Sequence, residues 1–210
     1  MTTQRAQVAE SSFNFLHMEL VQMALGELPE GATSHSTSQL QQASRKVEAI
    51  GFQVGVRLVE RYTKDRPRFS DTLEIIKFLC KDFWMEVYRK QIDKLQTNNR
   101  VRLKDSGPDL FNHISLYFTA LSLTHVCQLC AVLLPSQGVY MLQDNSHPVL
   151  ARCSPSADRQ SQAKQLAAVH IKFPSGLIRG ALSGLGVIAS VSAEVGDMPK
   201  CQLCAPLPPP

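Results

Sequence analysis

Two identical Cys-Gln-Leu-Cys pairs, Cys127/Cys130 and Cys201/Cys204, are the residues of this 210-residue chain whose spacing best suits metal chemistry. Two such pairs can supply four thiolates to a structural zinc ion. The pairs of a zinc site usually stand about 15–20 residues apart, whereas 70 residues (131–200) separate these two. The spacing therefore favours free thiols, with a zinc-binding module as an alternative.

The other reactive side chains do not form a recognisable active site. Cys80 falls on the apolar side of a predicted helix, where a buried structural thiol is the common outcome. The glycines from Gly176 to Gly186 lack the Gly-Lys-Ser/Thr ending of a phosphate loop, and the six histidines contain no His-Glu-x-x-His pattern. We therefore predict a non-enzymatic protein with no catalytic residues, no cofactor and no metal site.

The composition is that of one ordinary globular domain. Hydrophobic residues make up 44% of the chain and charged residues 19%, and the length allows a sizeable core. A net charge of +4 is too small to predict a nucleic-acid-binding face. The first residues lack the basic and apolar regions of a signal peptide, and six cysteines in such a chain are typical of reduced thiols. These observations predict a cytoplasmic protein.

An amphipathic helix from Leu73 to Gln96 is the strongest local prediction. Its apolar residues recur every three or four positions, and charged residues fill the other side. An acidic cap at Asp71 begins it. We expect this to be the longest helix of the chain, with Phe83, Trp84 and Val87 buried.

Two further patterns predict helices before it. One runs from Gln39 to Tyr62 and carries Gly51 and Gly55 one turn apart. Because each glycine costs about 1 kcal/mol of helix stability relative to alanine, we interpret the pair as a place where another backbone lies close. The other helix runs from Phe13 to Met23, and Gly26 closes it.

The C-terminal half is predicted to supply strands. GVYMLQ and HPVLAR, on either side of residues 144–146, have the pattern of a β-hairpin. Residues 187–195 alternate between apolar and polar side chains, as in a half-buried strand, and a helix before them ends near Gly186. Because proline cannot donate to a sheet, we predict that CQLCAPLPPP ends in a proline-rich tail (205–210) and forms no central strand.

One long segment, residues 100–137, is interposed in a single domain that spans residues 13–210 after a flexible N-terminus (1–12). From 110 to 134 it contains no charged residue, a length that could span a bilayer. Two histidines, an asparagine and a glutamine interrupt this stretch and weaken that interpretation. We favour a core helix or a poorly packed insertion, with a membrane-anchored protein spanning 110–134 as the second alternative.

Five segments carry a family resemblance, in the family's order: FLHMEL (15–20), GFQVGVRLVERYTKDRPRFSDTLEIIKFLCKDFWMEVYRKQIDKLQTN (51–98), GVYMLQDN (138–145), SGLIRGALSGLG (175–186) and VSAEVGDMPKC (191–201). They resemble the small-subunit family of the transport protein particle (TRAPP), in its subunit 6 branch, and cover about half of the chain. The chain departs from the family pattern at residues 100–137, at residues 153–173, which lack an aromatic-rich helix, and after residue 201, where the family has a final strand.

The resemblance implies an α+β fold, in which a helical bundle packs on one face of a small antiparallel sheet. It implies a non-enzymatic subunit of a vesicle-tethering complex in ER-to-Golgi transport, located in the cytoplasm at the cis-Golgi network and endoplasmic reticulum. The implied partners are related subunits, with subunit 3 as the heterodimer partner. A Rab-type GTPase would be reached only through the assembled complex, no nucleic acid is expected, and membrane association would be peripheral.

The first two helices carry the predicted partner surface. Their apolar residues form a wider face than one long helix can cover, and the resemblance assigns part of this face to a heterodimer. The predicted set is Leu16, Leu20, Val47, Ile50, Gly51, Val54, Gly55 and Leu58. We expect Leu16, Leu20, Ile50 and Val54 to lie at its centre.

Overall fold

The computed structural model describes residues 9–27, 35–98, 138–153 and 160–207. The first elements are α1 (Glu10–Leu25), α2 (Thr37–Thr63), and a continuous helical stretch made of α3 (Thr72–Phe78), a π-helical turn (Leu79–Phe83) and α4 (Trp84–Tyr88). The later elements are β1 (Lys94–Asn98), β2 (Gly138–Asp144), α5 (Pro148–Arg152), α6 (Gln160–His170), α7 (Lys172–Gly184), β3 (Ser192–Val195) and β4 (Cys201–Leu207).

The four strands form one antiparallel sheet in the order β1-β2-β4-β3. Leu142 of β2 lies opposite Leu203 of β4, and both side chains are fully buried. They share one hydrophobic core with residues of α2 and α7, such as Val47 and Leu177. The helices therefore cover this face of the sheet, and the predicted α+β fold is confirmed.

Helices α2 and α7 pack along each other more extensively than any other two described elements. Gly51 and Gly55 of α2 lie against the backbone of α7, and Gly176 and Gly180 of α7 lie against the backbone of α2. The prediction that another backbone approaches the glycine pair is confirmed, and α7 supplies that backbone. The α2 helix matches the predicted helix to within two residues at each end, and with 27 residues it is the longest described helix.

The prediction of one long helix from Leu73 to Gln96 is wrong at its C-terminal end. The helical stretch begins as expected, because the Asp71 carboxylate accepts a hydrogen bond from the Glu74 N–H at 2.6 Å. It ends at Tyr88, eight residues early, so this stretch is not the longest helix. Phe83 and Trp84 are fully buried as predicted, whereas Val87 is only half-buried.

Tertiary contacts explain this early end. Arg89 adopts a left-handed conformation with φ 58°, and its N–H caps the helix by donating to the Met85 carbonyl. The chain then turns back, since the Ile92 N–H donates to the carbonyl of Cys80 in the π-helical turn at 3.0 Å. Asp93 next donates its N–H to the Gln143 carbonyl. The periodic residues beyond this turn therefore enter the sheet as β1 and do not extend the helix.

The predicted hairpin around residues 144–146 and the long strand at 187–195 are also corrected. After β2 the chain forms the short helix α5, with Pro148 in its first turn, where proline's missing N–H costs nothing. Strand β2 pairs instead with β1 and β4. Only Ser192–Val195 of the alternating segment is a strand.

The expectation that the C-terminal segment avoids a central strand is wrong. Strand β4 lies between β2 and β3 and contains Pro206, which lies opposite Val139. Strand β3 pairs only with Cys201–Cys204, so Pro206 lies in the part of β4 that has a neighbour on one side. Proline is tolerated in a strand with one unpaired side because its missing N–H breaks no ladder there. The described chain thus has the final strand that the family pattern includes.

The interposed segment connects two strands that are neighbours in the sheet. Asn98 at the end of β1 lies opposite Val139 near the start of β2. Deleting residues 100–137 would join Asn99 to Gly138, and Asn-Gly is the preferred two-residue turn of a tight hairpin. Since lengthening a surface connection changes stability only slowly, we expect this deletion to leave the melting temperature unchanged or higher. Circular dichroism melting of the deleted and full-length chains measures this. Unfolding or a lower melting temperature would mean that the segment stabilises the domain.

Candidate partner interface

Helix α1 buries one side and leaves an apolar flank beside it. Val21 and Ala24 are buried, and Leu20 is half-buried. Leu16 is 66% exposed and Met23 is 68% exposed. At about 100° per residue, Leu16, Leu20 and Met23 fall along one flank of the helix, next to its buried side. This flank is an apolar stripe that continues outward from the core.

Three of the predicted interface residues lie inside the chain. Val47 is fully buried in the core. A β-carbon at Gly51 would lie 2.3 Å from the Phe173 carbonyl oxygen, and one at Gly55 would lie 2.1 Å from the Leu177 carbonyl oxygen. Helix α7 therefore covers the side of α2 on which these residues lie. Their role is to hold α2 and α7 together.

Ile50, Val54 and Leu58 lie on the neighbouring flank of α2, each three residues after one of the buried positions. All three are half-buried and pack against the core from its edge. Their i, i+4 spacing aligns them in one row along the helix. This row gives α2 an apolar flank whose inner part belongs to the core and whose outer part reaches the surface.

The structure thus divides the eight predicted residues into an internal group and a surface group. The surface group, hereafter the α1–α2 surface, consists of Leu16, Leu20, Ile50, Val54 and Leu58. Because α1 packs against α2, the two rows belong to neighbouring helices. Such apolar surface at the edge of a core is suited to contact with another protein.

A buried ion pair that the sequence analysis missed fixes the chain between α4 and the sheet. The Asp144 side chain is fully buried and accepts hydrogen bonds from Lys90 Nζ and from Trp84 Nε1, the latter at 3.3 Å. Lys90 also contacts the Asp93 carboxylate, which accepts the Asn145 N–H at 2.7 Å. The signal for this network was the Asp-Asn pair at the end of GVYMLQDN, but its lysine lies 54 residues away.

The charges of this network stabilise one another. Burial lowers the pKa of Lys90, but the hydrogen bond and negative charge of Asp144 outweigh that effect and raise it. The hydrogen bond from the Asn145 N–H lowers the pKa of Asp93, and Lys90 adds to that shift. Both partners therefore stay charged near neutral pH. The network orders the turn that follows β2.

The cysteines of the described chain are poorly placed for reactivity or metal binding. Burial raises the pKa of Cys80 to about 12 and that of Cys201 to about 12, so both are neutral thiols near pH 7. Cys201 and Cys204 lie three residues apart on β4 and thus point to opposite faces of the sheet. No group of three potential metal ligands occurs in residues 9–27, 35–98, 138–153 and 160–207. Cys127 and Cys130 lie outside the described residues.

The membrane-spanning alternative falls on residues 110–134, which lie outside the described residues. Among the helices of the described segments, none has both the length and the apolar character that crossing a bilayer requires.

A sequence profile of the family described as "Transport protein particle (TRAPP) component" matches residues 13–204, which is most of the chain. The chain belongs to this TRAPP family. It is 35% identical to the trafficking protein particle complex subunit 6b of Danio rerio over 193 residues, which cover 92% of this chain and 93% of the relative. Identity to subunit 6B of Homo sapiens is also 35%, with the same coverage. These relatives support the subunit 6 branch.

Other TRAPP proteins extend this comparison. Subunit 6A of Homo sapiens is 31% identical over 199 residues, which cover 93% of this chain and 95% of the relative. The fold is similar to a solved structure described as a trafficking protein particle complex subunit 3 from Naegleria fowleri covalently bound to palmitic acid, with a TM-score of 0.54 and 10% identity. That likeness covers 95% of this chain and 96% of the other, and it shows a shared TRAPP fold. The chain is therefore a TRAPP component related to subunit 6.

Proposed function

We propose that this chain is a non-enzymatic assembly subunit of the TRAPP tether, acting in ER-to-Golgi vesicle transport. Its location would be peripheral, in the cytoplasm at the cis-Golgi network and the endoplasmic reticulum. It would support exchange on a Rab-type GTPase only as part of the assembled complex. The observation that carries this proposal is the apolar flank of α1, where Leu16 is 66% exposed although the same helix buries Val21 in the core.

The proposed partner is subunit 3, bound through the α1–α2 surface as a heterodimer. A subunit 3 with the same fold has been solved, so the partner would present helices and a sheet of comparable arrangement. A stable interface buries about 800 Å² on each partner, more than five side chains supply. We therefore place Leu16, Leu20, Ile50, Val54 and Leu58 at its apolar centre, with polar residues of the same two helices at its rim.

The internal group has a supporting role in this proposal. The α2–α7 contact is held by Val47, Gly51 and Gly55. It fixes the direction of the flank of α2 that carries the row of Ile50, Val54 and Leu58. A surface row on a rigid helix loses little conformational entropy on binding. The proposed interface therefore depends on the α2–α7 contact although these three residues do not touch the partner.

Co-purification tests this function. A tagged full-length chain expressed in its own cells should elute with the other TRAPP subunits and leave the membrane on carbonate extraction. A chain that stays in the carbonate-treated membrane would support a protein anchored by residues 110–134. A chain that leaves the membrane without TRAPP subunits would contradict the assembly role.

A further inference from the structure

Three histidines from different elements come together in the domain, two of them buried and His170 half-buried. His17 lies on α1, His147 in the turn between β2 and α5, and His170 at the end of α6. The rings of His17 and His170 stack, with centroids 5.4 Å apart and an interplanar angle of 14°. His17 is 3% exposed and His147 is 1% exposed. We call these three residues the histidine cluster.

Aromatic rings enclose the histidine cluster. Phe173 of α7 meets the His17 ring edge-on at 5.1 Å, and Tyr88 of α4 meets the His147 ring edge-on at 4.7 Å. Phe13 of α1 lies between these two aromatic contacts, because its ring centroid is 6.1 Å from that of Tyr88 and 6.3 Å from that of Phe173. The cluster therefore lies where α1 docks onto the rest of the domain.

The imidazoles of the histidine cluster are poorly solvated. Both ring nitrogens of His17 and of His147, and Nδ1 of His170, lack a hydrogen-bond partner among the described residues. The backbone carbonyl of His170 lies close enough to favour a charged His17, but it makes no hydrogen bond of ordinary geometry. The nearby Asn14 Nδ2 and Tyr88 hydroxyl are likewise buried without a described partner. A proton added here would place a poorly compensated charge in the interior, which is costly.

The charged groups around the histidine cluster also favour neutral imidazoles. Lys90 is the cation that acts on His147, and its Nζ is already paired with Asp144. Asp144 and the buried thiol of Cys201 on β4 act on Tyr88 and not on the imidazoles. On the α1 and α6 sides, the titratable groups that act on His17 are the other two histidines, and their protonation would lower the pKa of His17 further. No described carboxylate is paired with any of the three rings.

The pKa shifts agree with this geometry. Burial lowers the pKa of His17 to about 3 and that of His147 to about 3, with the neighbouring positive groups adding to the shift. Burial alone lowers the pKa of His170 to about 4. An unfolded or solvent-exposed histidine has a pKa of about 6.5. The stabilisation from docking is therefore complete above about pH 6.5 and is lost as the pH falls from there toward the folded values.

We propose that the histidine cluster makes the docking of α1 acid-labile, so that protonation of its imidazoles releases α1 before the sheet opens. Release exposes the stacked faces of His17 and His170 together, because their rings lie within the contact between α1 and α6. Two imidazoles that take up protons only in the released state make the response to pH steeper than one would. This inference concerns the chain alone and does not depend on the proposed partner.

Amide hydrogen exchange of the full-length protein tests the proposal. After correction for the intrinsic effect of pH, we expect protection of α1 to fall about 100-fold between about pH 7.5 and pH 5.5, since each exposed imidazole contributes about tenfold per pH unit below its ordinary pKa. Protection of β4 should remain higher than that of α1 at both pH values, because β4 exchanges only when the sheet opens. Unchanged protection of α1 between the two pH values, or equal protection of α1 and β4 at pH 5.5, would overturn the proposal.

Two substitutions sharpen this test. The His17→Phe variant keeps an aromatic ring against Phe173 but has one imidazole fewer, so its α1 response should shrink to about tenfold. The His35→Gln variant removes a histidine that precedes α2 and lies outside the cluster, and its response should equal that of the unchanged protein. A His17→Phe response equal to that of the unchanged chain would overturn the role of this residue. Imidazole titration by NMR in the unchanged protein should show low pKa values for all three, without relying on any variant.

Discussion

Replacing Gly55 with valine is expected to prevent the chain from folding, with a loss of about 5 kcal/mol or more in the free energy of unfolding. A β-carbon at this position would lie 2.1 Å from the Leu177 carbonyl oxygen and 2.9 Å from the Leu177 carbonyl carbon. Both are backbone atoms of α7, which cannot move aside as a flexible side chain can. Because α2 and α7 make the most extensive contact between described elements, separating them would open the core.

The opposite expectation follows from helix propensity alone, which makes this substitution informative. A side chain in place of glycine normally favours a helix by up to about 1 kcal/mol. The predicted clash is several times larger, so the overall effect should be strongly destabilising. Urea unfolding followed by circular dichroism measures it, and the signal should show an unfolded or molten chain at zero denaturant.

The Gly196→Val variant is the matched control for this prediction. The nearest atom to an added β-carbon there is Lys200 Cβ at 3.7 Å, which is an ordinary contact. This variant should unfold near the urea concentration of the unchanged protein. A Gly55→Val protein that is as stable as this control would show that α2 and α7 do not approach as closely as the structure has them.

The parts of the fold that the sequence predicted well are those set by local signals. Helix α2 has a continuous apolar period and a capped start, where Ser36 and Gln39 exchange hydrogen bonds. Helix α1 ends at Gly26 with φ 73°, a conformation that glycine adopts readily. The Gly51 and Gly55 pair predicted a close backbone because glycine in a helix otherwise costs stability.

The parts that could not be predicted depend on partners far away in the chain. The helical period continues to Gln96, but Lys90 pairs with Asp144, and Asp93 bonds to Gln143 and Asn145. These contacts outweigh local propensity and turn the chain into β1. Strand β4 was missed for a similar reason, since proline excludes a strand only where both sides are paired.

The candidate partner interface was also predicted only in part, because local signals identified its helices and distant contacts decided which residues are exposed. Periodicity identified the apolar sides of α1 and α2, but it could not tell which side α7 would cover. Val47, Gly51 and Gly55 therefore proved internal, whereas Leu16 stayed exposed. The histidine cluster had no local signal at all, because His17 precedes the other two histidines by more than a hundred residues and the three lie on different elements.

Substituting Leu16 with aspartate tests the central claim, that the α1–α2 surface is the partner interface. Leu16 is 66% exposed, so this substitution should not change the stability of the isolated chain, unlike a charge at half-buried Ile50 or Val54. In a heterodimer the carboxylate would be buried without a partner, which is costly. We expect affinity for subunit 3 to fall about 100-fold or more, which corresponds to about 3 kcal/mol.

The Met18→Asp variant provides the comparison within the same helix. Met18 is 44% exposed and lies roughly 160° around α1 from Leu16, on the far side of the helix from the proposed interface. The decisive measurement is isothermal titration of the purified chain with purified subunit 3, for the unchanged protein and both variants. Our account predicts that the unchanged chain and the Met18→Asp variant bind with equal affinity, whereas the Leu16→Asp variant does not bind measurably. Equal binding by all three proteins, or no binding by the unchanged chain, would contradict it.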